Sequence, residues 1–400
     1  MGSIRDDAAR VLHANWVEPW GFTVPSRRLY GHQWNWDSAM HVLGWAVLDP
    51  PRAWRELRAL LSGQHADGLV GHVTYRPEER GYFPGVEWWQ VHPSAPAQRI
   101  ASRITQPPLA AICLELAEPR LAAAIDGFDP RPDLRALDAW HALLCGPRAP
   151  GGEPVVVHPW ETGRDNAAEW DEALAGTPSF DGAMARHDLD SVRRSQRPTS
   201  AEYRRFVGLL GRLRALGFDQ GRMASQSPFQ VHDPLFSLVT LRACRALCRL
   251  AERWGEEAIA ERQRRLADAL SPRMRRAARC SVARAAEVWR EDPDDLGDLA
   301  ALVTEGPLSS AWGVRSLAAG DPGFEARRYW RGPVWPHLTW WIAEGFRSQG
   351  RADVHDLLRE RTRAALSAVG MREYVHPDAP EGLGAVDQAW TAAVAVWWDL

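Results

Sequence analysis

Four short stretches gather the side chains that could do chemistry. Leu29-Tyr30-Gly31-His32-Gln33-Trp34-Asn35-Trp36-Asp37-Ser38 stands at the mouth of a helix, and His158-Pro159-Trp160-Glu161-Thr162-Gly163-Arg164-Asp165-Asn166 runs on to Trp170 and Asp171. The third is Arg327-Arg328-Tyr329-Trp330-Arg331-Gly332-Pro333-Val334-Trp335. The fourth, Arg372-Glu373-Tyr374-Val375-His376-Pro377, leads into Gly382-Leu383-Gly384 and Gln388-Ala389-Trp390-Thr391. Carboxyl groups set among tryptophans suit glycoside hydrolysis, which needs one protonated carboxyl for the leaving oxygen and a second to activate water or attack. An apolar, aromatic surround keeps a carboxyl protonated, and Asp165 lies in sequence between Trp160 and Trp170. Glu373 comes from a distant part of the chain, as one half of a bond-straddling pair usually must. Taken one at a time the signals are weak. Asp165-Asn166 could cap a helix beginning near Ala167, Glu373 could be a surface acid, and Trp330 and Trp335 alone would more often be core.

Composition removes several other chemistries. All 48 basic residues are arginine, which stays protonated and cannot form a Schiff base, so pyridoxal-phosphate and class I aldolase chemistry are excluded. The phosphate-gripping lysine of a P-loop is missing for the same reason. A net charge of −3 supplies no basic field for nucleic acid. The thirteen histidines form no H-E-x-x-H and no cluster with cysteine, so neither metal nor cofactor is expected. Five scattered cysteines read as thiols, Cys244 and Cys248 being buried on one helix. Met1-Gly2-Ser3-Ile4-Arg5-Asp6-Asp7 has no apolar signal core and no stretch could span a bilayer, which places the protein in the cytoplasm and off the membrane. Against these exclusions stand 21 tryptophans, more than packing commonly demands. Indole faces stack on sugar rings while the N–H serves a hydroxyl, so a carbohydrate site fits.

The elements that must position these joints are helical. Asp233-Pro234 starts a helix whose apolar stripe runs Leu235, Val239, Ala243, Ala246, Leu250, Trp254. Thr199 and Glu202 have capping-box spacing, with Tyr203, Phe206, Leu210 and Leu213 on one face up to Gly217. Arg52 to Leu61, Pro108 to Ala117, Asp133 to Leu144 and Val354 to Val369 read likewise, whereas Val155-Val156-Val157 is the only clear β-branched run. Helices of this length with short turns indicate an all-α protein of antiparallel pairs. At 400 residues the length alone would suit two or three domains, but a single helical barrel absorbs as many. Without a Gly/Ser linker or a regular repeat, residues 1–400 read as one domain. Two irregular stretches, around 63–102 and 164–197, carry Trp, Arg, Asp and Gly, the composition of functional loops.

Together the four joints resemble the helical-barrel glycosidases of glycoside hydrolase family 63 and its trehalase relatives, above all the bacterial glucosylglycerate and mannosylglycerate hydrolases. The resemblance runs in order from about Asn15 to the C-terminus and takes in Thr23-Val24-Pro25-Ser26, Tyr82-Phe83-Pro84-Gly85, Thr105-Gln106-Pro107-Pro108 and Arg197-Pro198-Thr199 with Tyr203. It implies an (α/α)₆ barrel and an inverting mechanism, with Asp165 as general acid and Glu373 as general base. By the same motif match Tyr30, Trp36, Asp37, Gln106, Trp160, Trp330 and Trp335 line the sugar subsite. Tyr82, Arg197, Tyr203, Tyr329 and Gln388 fall where relatives hold glycerate, and an arginine fork does suit a carboxylate. The chain departs from the family pattern at His32, Asn35, Gly71, Asn166-Ala167-Ala168 and Asp387-Gln388-Ala389-Trp390, which leaves sugar and aglycone open. The expected activity is hydrolysis of glucosylglycerate or mannosylglycerate. The alternatives are a trehalase-like or oligosaccharide α-glucosidase for neutral substrates, or a non-catalytic sugar-binding relative. The expected partner is a small-molecule glycoside; a homo-oligomer is compatible with everything above.

Overall fold

A helix that is apolar all the way round has no face to offer water and must sit inside a shell of others. The computed structural model, which describes residues 3–79, 82–91, 99–290, 293 and 295–400, obeys that constraint twice over, in an inner and an outer ring of helices. In chain order the helices of more than seven residues begin with Ile4–Asn15 (α1), Asn35–Leu48 (α2), Pro50–Leu61 (α3), Ala110–Ala124 (α4), Arg131–Cys145 (α5), Ser200–Ala215 (α6), Pro234–Arg253 (α7) and Glu257–Leu270 (α8). Val282–Ala285 (α9) continues as the 3₁₀ turn Ala286–Trp289, followed by Leu296–Thr304 (α10), Pro336–Ser348 (α11), Ala352–Val369 (α12) and Ala389–Trp397 (α13). α2, α4, α7, α9 with its 3₁₀ extension, α11 and α13 each pack on the next, and α13 returns to α2. Outside them α1, α3, α5, α8, α10 and α12 cover the seams. The fold is therefore an all-α (α/α)₆ toroid. α2 is buried from Asn35 through Ala46 and α11 from Pro336 through Phe346, as inner members must be. One apolar cluster takes in side chains from Ala8 to Leu400.

Local chemistry explains the ends of these helices. Asp49 caps α3 through Arg52 N at 3.2 Å, and Thr199 and Glu202 close a capping box on α6. Asp233 accepts from Leu235 N at 3.0 Å at the start of α7, with Pro234 in the first turn. One expectation needs correction: α4 does not run from Pro108 to Ala117 but begins at Ala110 and continues through Pro119 to Ala124. Burial of Ala117, Glu118 and Leu121 on both sides of the proline holds that last stretch in place. The Val155-Val156-Val157 run forms no strand; Val156 makes a single bridge to Val231. The strands that do form are two-residue antiparallel pairs: Trp16–Val17 with Phe22–Thr23, Gln33–Trp34 with Val73–Thr74, Ser309–Ser310 with Gly313–Val314, and Tyr374–Val375 with Gly382–Leu383. The stretch 164–197 is not wholly irregular, since it folds into the turns Ala168–Trp170, Asp171–Ala175, Asp188–Ser191 and Arg194–Gln196. The stretch 63–102 contributes Val73–Thr74 and Val86–Trp88. Residues 80, 81 and 92–98 of that stretch lie outside the described residues, as do Met1 and Gly2 of the polar N-terminal segment.

A buried ion pair fixes the joint between α5 and the Asp165 loop. Arg148 and Glu161 are both shielded from solvent, and their contact is bidentate at 3.0 and 2.6 Å. Glu161 also accepts from Val157 N at 2.8 Å and Thr105 N at 3.2 Å, so one carboxylate ties Gln106's neighbour to the loop carrying Trp160 and Asp165. Removing one partner leaves the other charge buried and uncompensated, which costs on the order of 3–5 kcal/mol. Arg148→Met is therefore expected to unfold at clearly lower urea concentration than the wild type, and Arg148→Met with Glu161→Gln to recover part of the loss. Unfolding of the single variant at the wild-type midpoint would reject this account.

Candidate active site

The loop after Val157 is locked from several sides. His158 accepts from Trp160 N at 3.1 Å through Nδ1, and its Nε2 meets Phe206 O at 2.9 Å, anchoring the 3₁₀ turn Pro159–Thr162 on α6. Gly163 then turns with φ +69°, and a Cβ there would stand 2.6 Å from Trp36, so glycine is required twice over. Arg164 is buried between Glu169 and Asp233, at 2.8 Å from each, and lies over the Trp170 ring. Asn166 Oδ1 accepts from Trp330 N at 3.1 Å. Held by fixed neighbours on both sides, Asp165 projects into a cavity. Neither Asp165 nor Asn166 caps a helix, because Ala167 occupies that position and makes no side-chain cap.

Glu373 reaches the same cavity from the other end of the chain. It immediately precedes the Tyr374–Val375 strand and is fully buried, not a surface acid. Its N–H donates to Ala385 O at 3.0 Å and its Oε2 accepts from Ala385 N at 2.7 Å, across the hairpin. Gly384, at φ +66°, leaves the room for that carboxylate that any side chain would fill. Oε1 accepts from the Tyr30 hydroxyl at 2.8 Å and lies 3.5 Å from Arg197 Nη1.

The cavity, its solvent-open mouth included, has about 820 Å³ of empty space, and its wall includes Tyr30, Trp36, Asp37, Tyr82, Gln106, Trp160, Asp165, Arg197, Tyr203, Tyr329 and Glu373. Eleven of the fourteen residues expected from the sequence thus share one space. Trp330, Trp335 and Gln388 do not line it. Trp330 and Trp335 stack face to face with ring centroids 3.6 Å apart, and Trp335 stacks on Tyr374, forming an aromatic backing behind Tyr329. Gln388 precedes α13 and is fully buried, its backbone N–H donating to Met371 O at 2.9 Å. Trp34, Asp188 and Trp390 line the cavity without having been expected. Trp34 and Trp390 were within reach, since each sits in a joint already marked by its tryptophans. Asp188 lay in the second irregular stretch with nothing but its charge to single it out.

Electrostatics separate the carboxyls. Burial pushes Asp165 up from 3.8 to about 7; Arg197 and the residue's own N–H oppose the shift, while Glu373 and Asp188 add to it. Asp37 is raised too, by burial first and then by Glu373 and Glu56, with its own N–H opposing. Arg197 is the cation set among them. Its Nε meets Asp188 Oδ2 at 3.2 Å and its guanidinium stacks over the Tyr329 ring at 4.2 Å. Arg186 grips Asp188 with two bonds of 2.7 Å and lies 4.2 Å from the Tyr203 ring centroid. Among the described residues no three His, Cys, Asp or Glu side chains are arranged to hold a metal ion, and no helix is long and apolar enough to cross a membrane.

A toroid of paired helices with carboxyls, tyrosines and tryptophans around one cavity has the architecture of an (α/α)₆ glycoside hydrolase. Residues 30–278 and 289–391 match the family described as mannosylglycerate hydrolase MGH1-like glycoside hydrolase domain, and the chain belongs to that family. Mannosylglycerate hydrolase MGH2 of Selaginella moellendorffii is 35% identical over 94% of this chain and 82% of its own length. Glucosylglycerate hydrolase of Mycolicibacterium hassiacum is 32% identical over 94% of this chain and 93% of its own. The crystal structure of a GH63 mannosylglycerate hydrolase from Thermus thermophilus, in complex with Tris and D-glycerate, superposes with a TM-score of 0.88 at 31% identity, covering 99% of this chain and all of that one.

The raised pKa of Asp165 has a consequence for stability. Between its ordinary 3.8 and about 7 the folded carboxyl holds a proton that the unfolded one has lost. Stability is therefore intact below about pH 4, falls as pH rises through that interval, and stays reduced above it. At about 1.4 kcal/mol per unit, discounted for a side chain open to the cavity, the cost is roughly 2–4 kcal/mol. Asp165→Asn is expected to melt several degrees above the wild type at pH 8, with a gap that narrows towards pH 4.5. A melting difference independent of pH would show that Asp165 is not the group responsible.

Proposed function

We propose that this chain is an inverting hydrolase of a small acidic α-glycoside, 2-O-α-D-glucosylglycerate or its mannosyl counterpart, releasing the sugar and glycerate. The observation that carries this reading is one cavity with tryptophans in its wall that holds Asp165, with a pKa of about 7, the hydrogen-bonded Glu373 carboxylate, and Arg197. Membership of a family whose relatives are named mannosylglycerate and glucosylglycerate hydrolases supports the substrate class.

In this scheme Asp165 gives its proton to the glycosidic oxygen as the bond to C1 breaks. Water attacks C1 from the opposite ring face and passes a proton to Glu373, so the configuration inverts. Tyr30 and Ala385 N–H keep the Glu373 carboxylate aimed, since each holds one of its oxygens. Trp36 and Trp160 offer flat apolar surface to the sugar ring, and Gln106 offers amide hydrogen bonds to its hydroxyls. Asp37, whose pKa is pushed upward by burial and then by Glu373, offers its carboxyl group to the sugar hydroxyls. Arg197 faces the aglycone carboxylate, with Tyr82, Tyr203 and Tyr329 completing the acceptor site.

Asp165→Asn and Glu373→Gln are each expected to lose several orders of magnitude in hydrolysis while remaining folded; near-normal turnover by either rejects its assigned role. Because the acid works only when protonated, kcat/KM is expected to fall above about pH 7, and a flat profile to pH 9 would contradict the assignment. The substrate test is incubation with glucosylglycerate, mannosylglycerate and trehalose, followed by proton NMR. The β-anomer of the sugar should appear first, from a glycerate glycoside. Initial α-anomer would mean retention, and a preference for trehalose would discard the acidic aglycone.

A further inference from the structure

The Arg197 guanidinium is shared among several partners around Glu373. Nε meets Asp188 at 3.2 Å, Nη1 meets the Tyr30 hydroxyl at 2.8 Å and Glu373 Oε1 at 3.5 Å, and Tyr374 lies against it as well. Tyr30 donates to that same Oε1 at 2.8 Å, while Ala385 N–H holds Oε2 at 2.7 Å. Oε1 therefore carries two donors, one of them cationic. A carboxylate oxygen has about two lone-pair sites, and a base that takes a proton from water needs one of them free. A carboxylate entering from the aglycone side competes for the guanidinium with a better geometry, since a two-pronged contact is stronger than a single one at 3.5 Å.

We propose that Arg197 couples recognition of the aglycone to the catalytic base: an acidic aglycone draws the guanidinium off Glu373 and frees Oε1 to take the proton of the attacking water. This rests on the substrate class proposed above and adds that the substrate's negative charge raises turnover as well as affinity. Asp188, held in turn by Arg186, is the pivot that keeps Nε in the cavity wall while the Nη edge changes partner. The exchange also favours the acid. Arg197 is the charge that opposes the upward shift of Asp165, with Glu373 and Asp188 acting the other way. Once it is paired with a substrate anion it opposes less, and Asp165 keeps its proton.

The test isolates the Glu373 half of the reaction with α-D-glucosyl fluoride and α-D-mannosyl fluoride. Fluoride leaves without being protonated, so the balance is water adding to C1, the C1–F bond breaking, and one water proton passing to Glu373. Added D-glycerate is expected to raise the initial rate at least about tenfold, the lower end for one charge-assisted contact, whereas glycerol, neutral and of similar size, changes it by less than about twofold. In Arg197→Ala the response to glycerate should vanish. If that variant fails to fold, the contrast between glycerate and glycerol on the wild type decides alone. Inhibition by glycerate, an equal effect of glycerol, full stimulation in Arg197→Ala, or no fluoride hydrolysis at all would overturn the coupling. Glucosylglycerate and mannosylglycerate are run beside the fluorides. If either is hydrolysed while the fluorides ignore glycerate, the coupling is wrong and the substrate reading stands. If neither glycoside is hydrolysed, the substrate reading fails with it.

Discussion

One guanidinium makes this cavity electrostatically tenable. Asp37, Asp165, Asp188 and Glu373 all face the same space, and like charges at such range cannot all stay ionised without a cation among them. Arg197 meets Asp188 and Glu373 directly and bears on Asp165 through space. Its own burial is offset by these carboxylates and by the faces of Tyr30 and Tyr329. Without this side chain Asp188 would keep Arg186, but Glu373 would lose the one cation among the described residues that meets it.

The toroid supplies what a guanidinium cannot, a rigid frame that brings distant segments to one end of a ring. Asp37 comes from the first turn of α2, Asp165 from the loop after α5, Arg197 from the approach to α6 and Glu373 from the hairpin after α12. Because inner helices such as α2 and α11 are buried on every side, they cannot tilt to suit a ligand without losing packing elsewhere. Adaptation falls to the joints. Short turns, accordingly, supply part of the cavity wall, with Phe83, Ala185, His187 and Asp188 among the residues that line it.

The helices were legible because their signals are local. Thr199 and Asp233 each cap within three residues, and the outer helices alternate apolar and polar faces at helical period. Which helices lie inside the ring was not legible to the same degree. Val282–Trp289 is an inner member of eight residues, half of them 3₁₀, and its pattern is too short to display a period. Of the side chains expected from motif order eleven line the cavity and three do not, and the three share one cause. Side-chain direction in an irregular joint depends on dihedral angles that residue types leave open. Tyr329 has φ +36° and Gly332 φ +153°, so the backbone reverses within four residues. Tyr329 is turned to the cavity, and Trp330 and Trp335 are turned behind it. Gln388 likewise follows Asp387, at φ +52°, and sits behind the wall that Trp390 helps to form.

Two carboxyls in this cavity are raised, and the proposed scheme uses only one of them as the acid. Their surroundings explain why. The neighbouring charges that act on Asp37 are both negative, those of Glu373 and Glu56, so its proton has nowhere favourable to go. Proton transfer is most effective from a group whose pKa lies near the working pH, and among the described residues no cation beside Asp37 counters the upward push of its burial. Asp165 is also buried, but Arg197 and its own N–H pull against that burial and leave it at about 7, able both to lose its proton and to regain it. In the proposed scheme the arginine that faces these acids is therefore what sets the Asp165 carboxyl apart from that of Asp37.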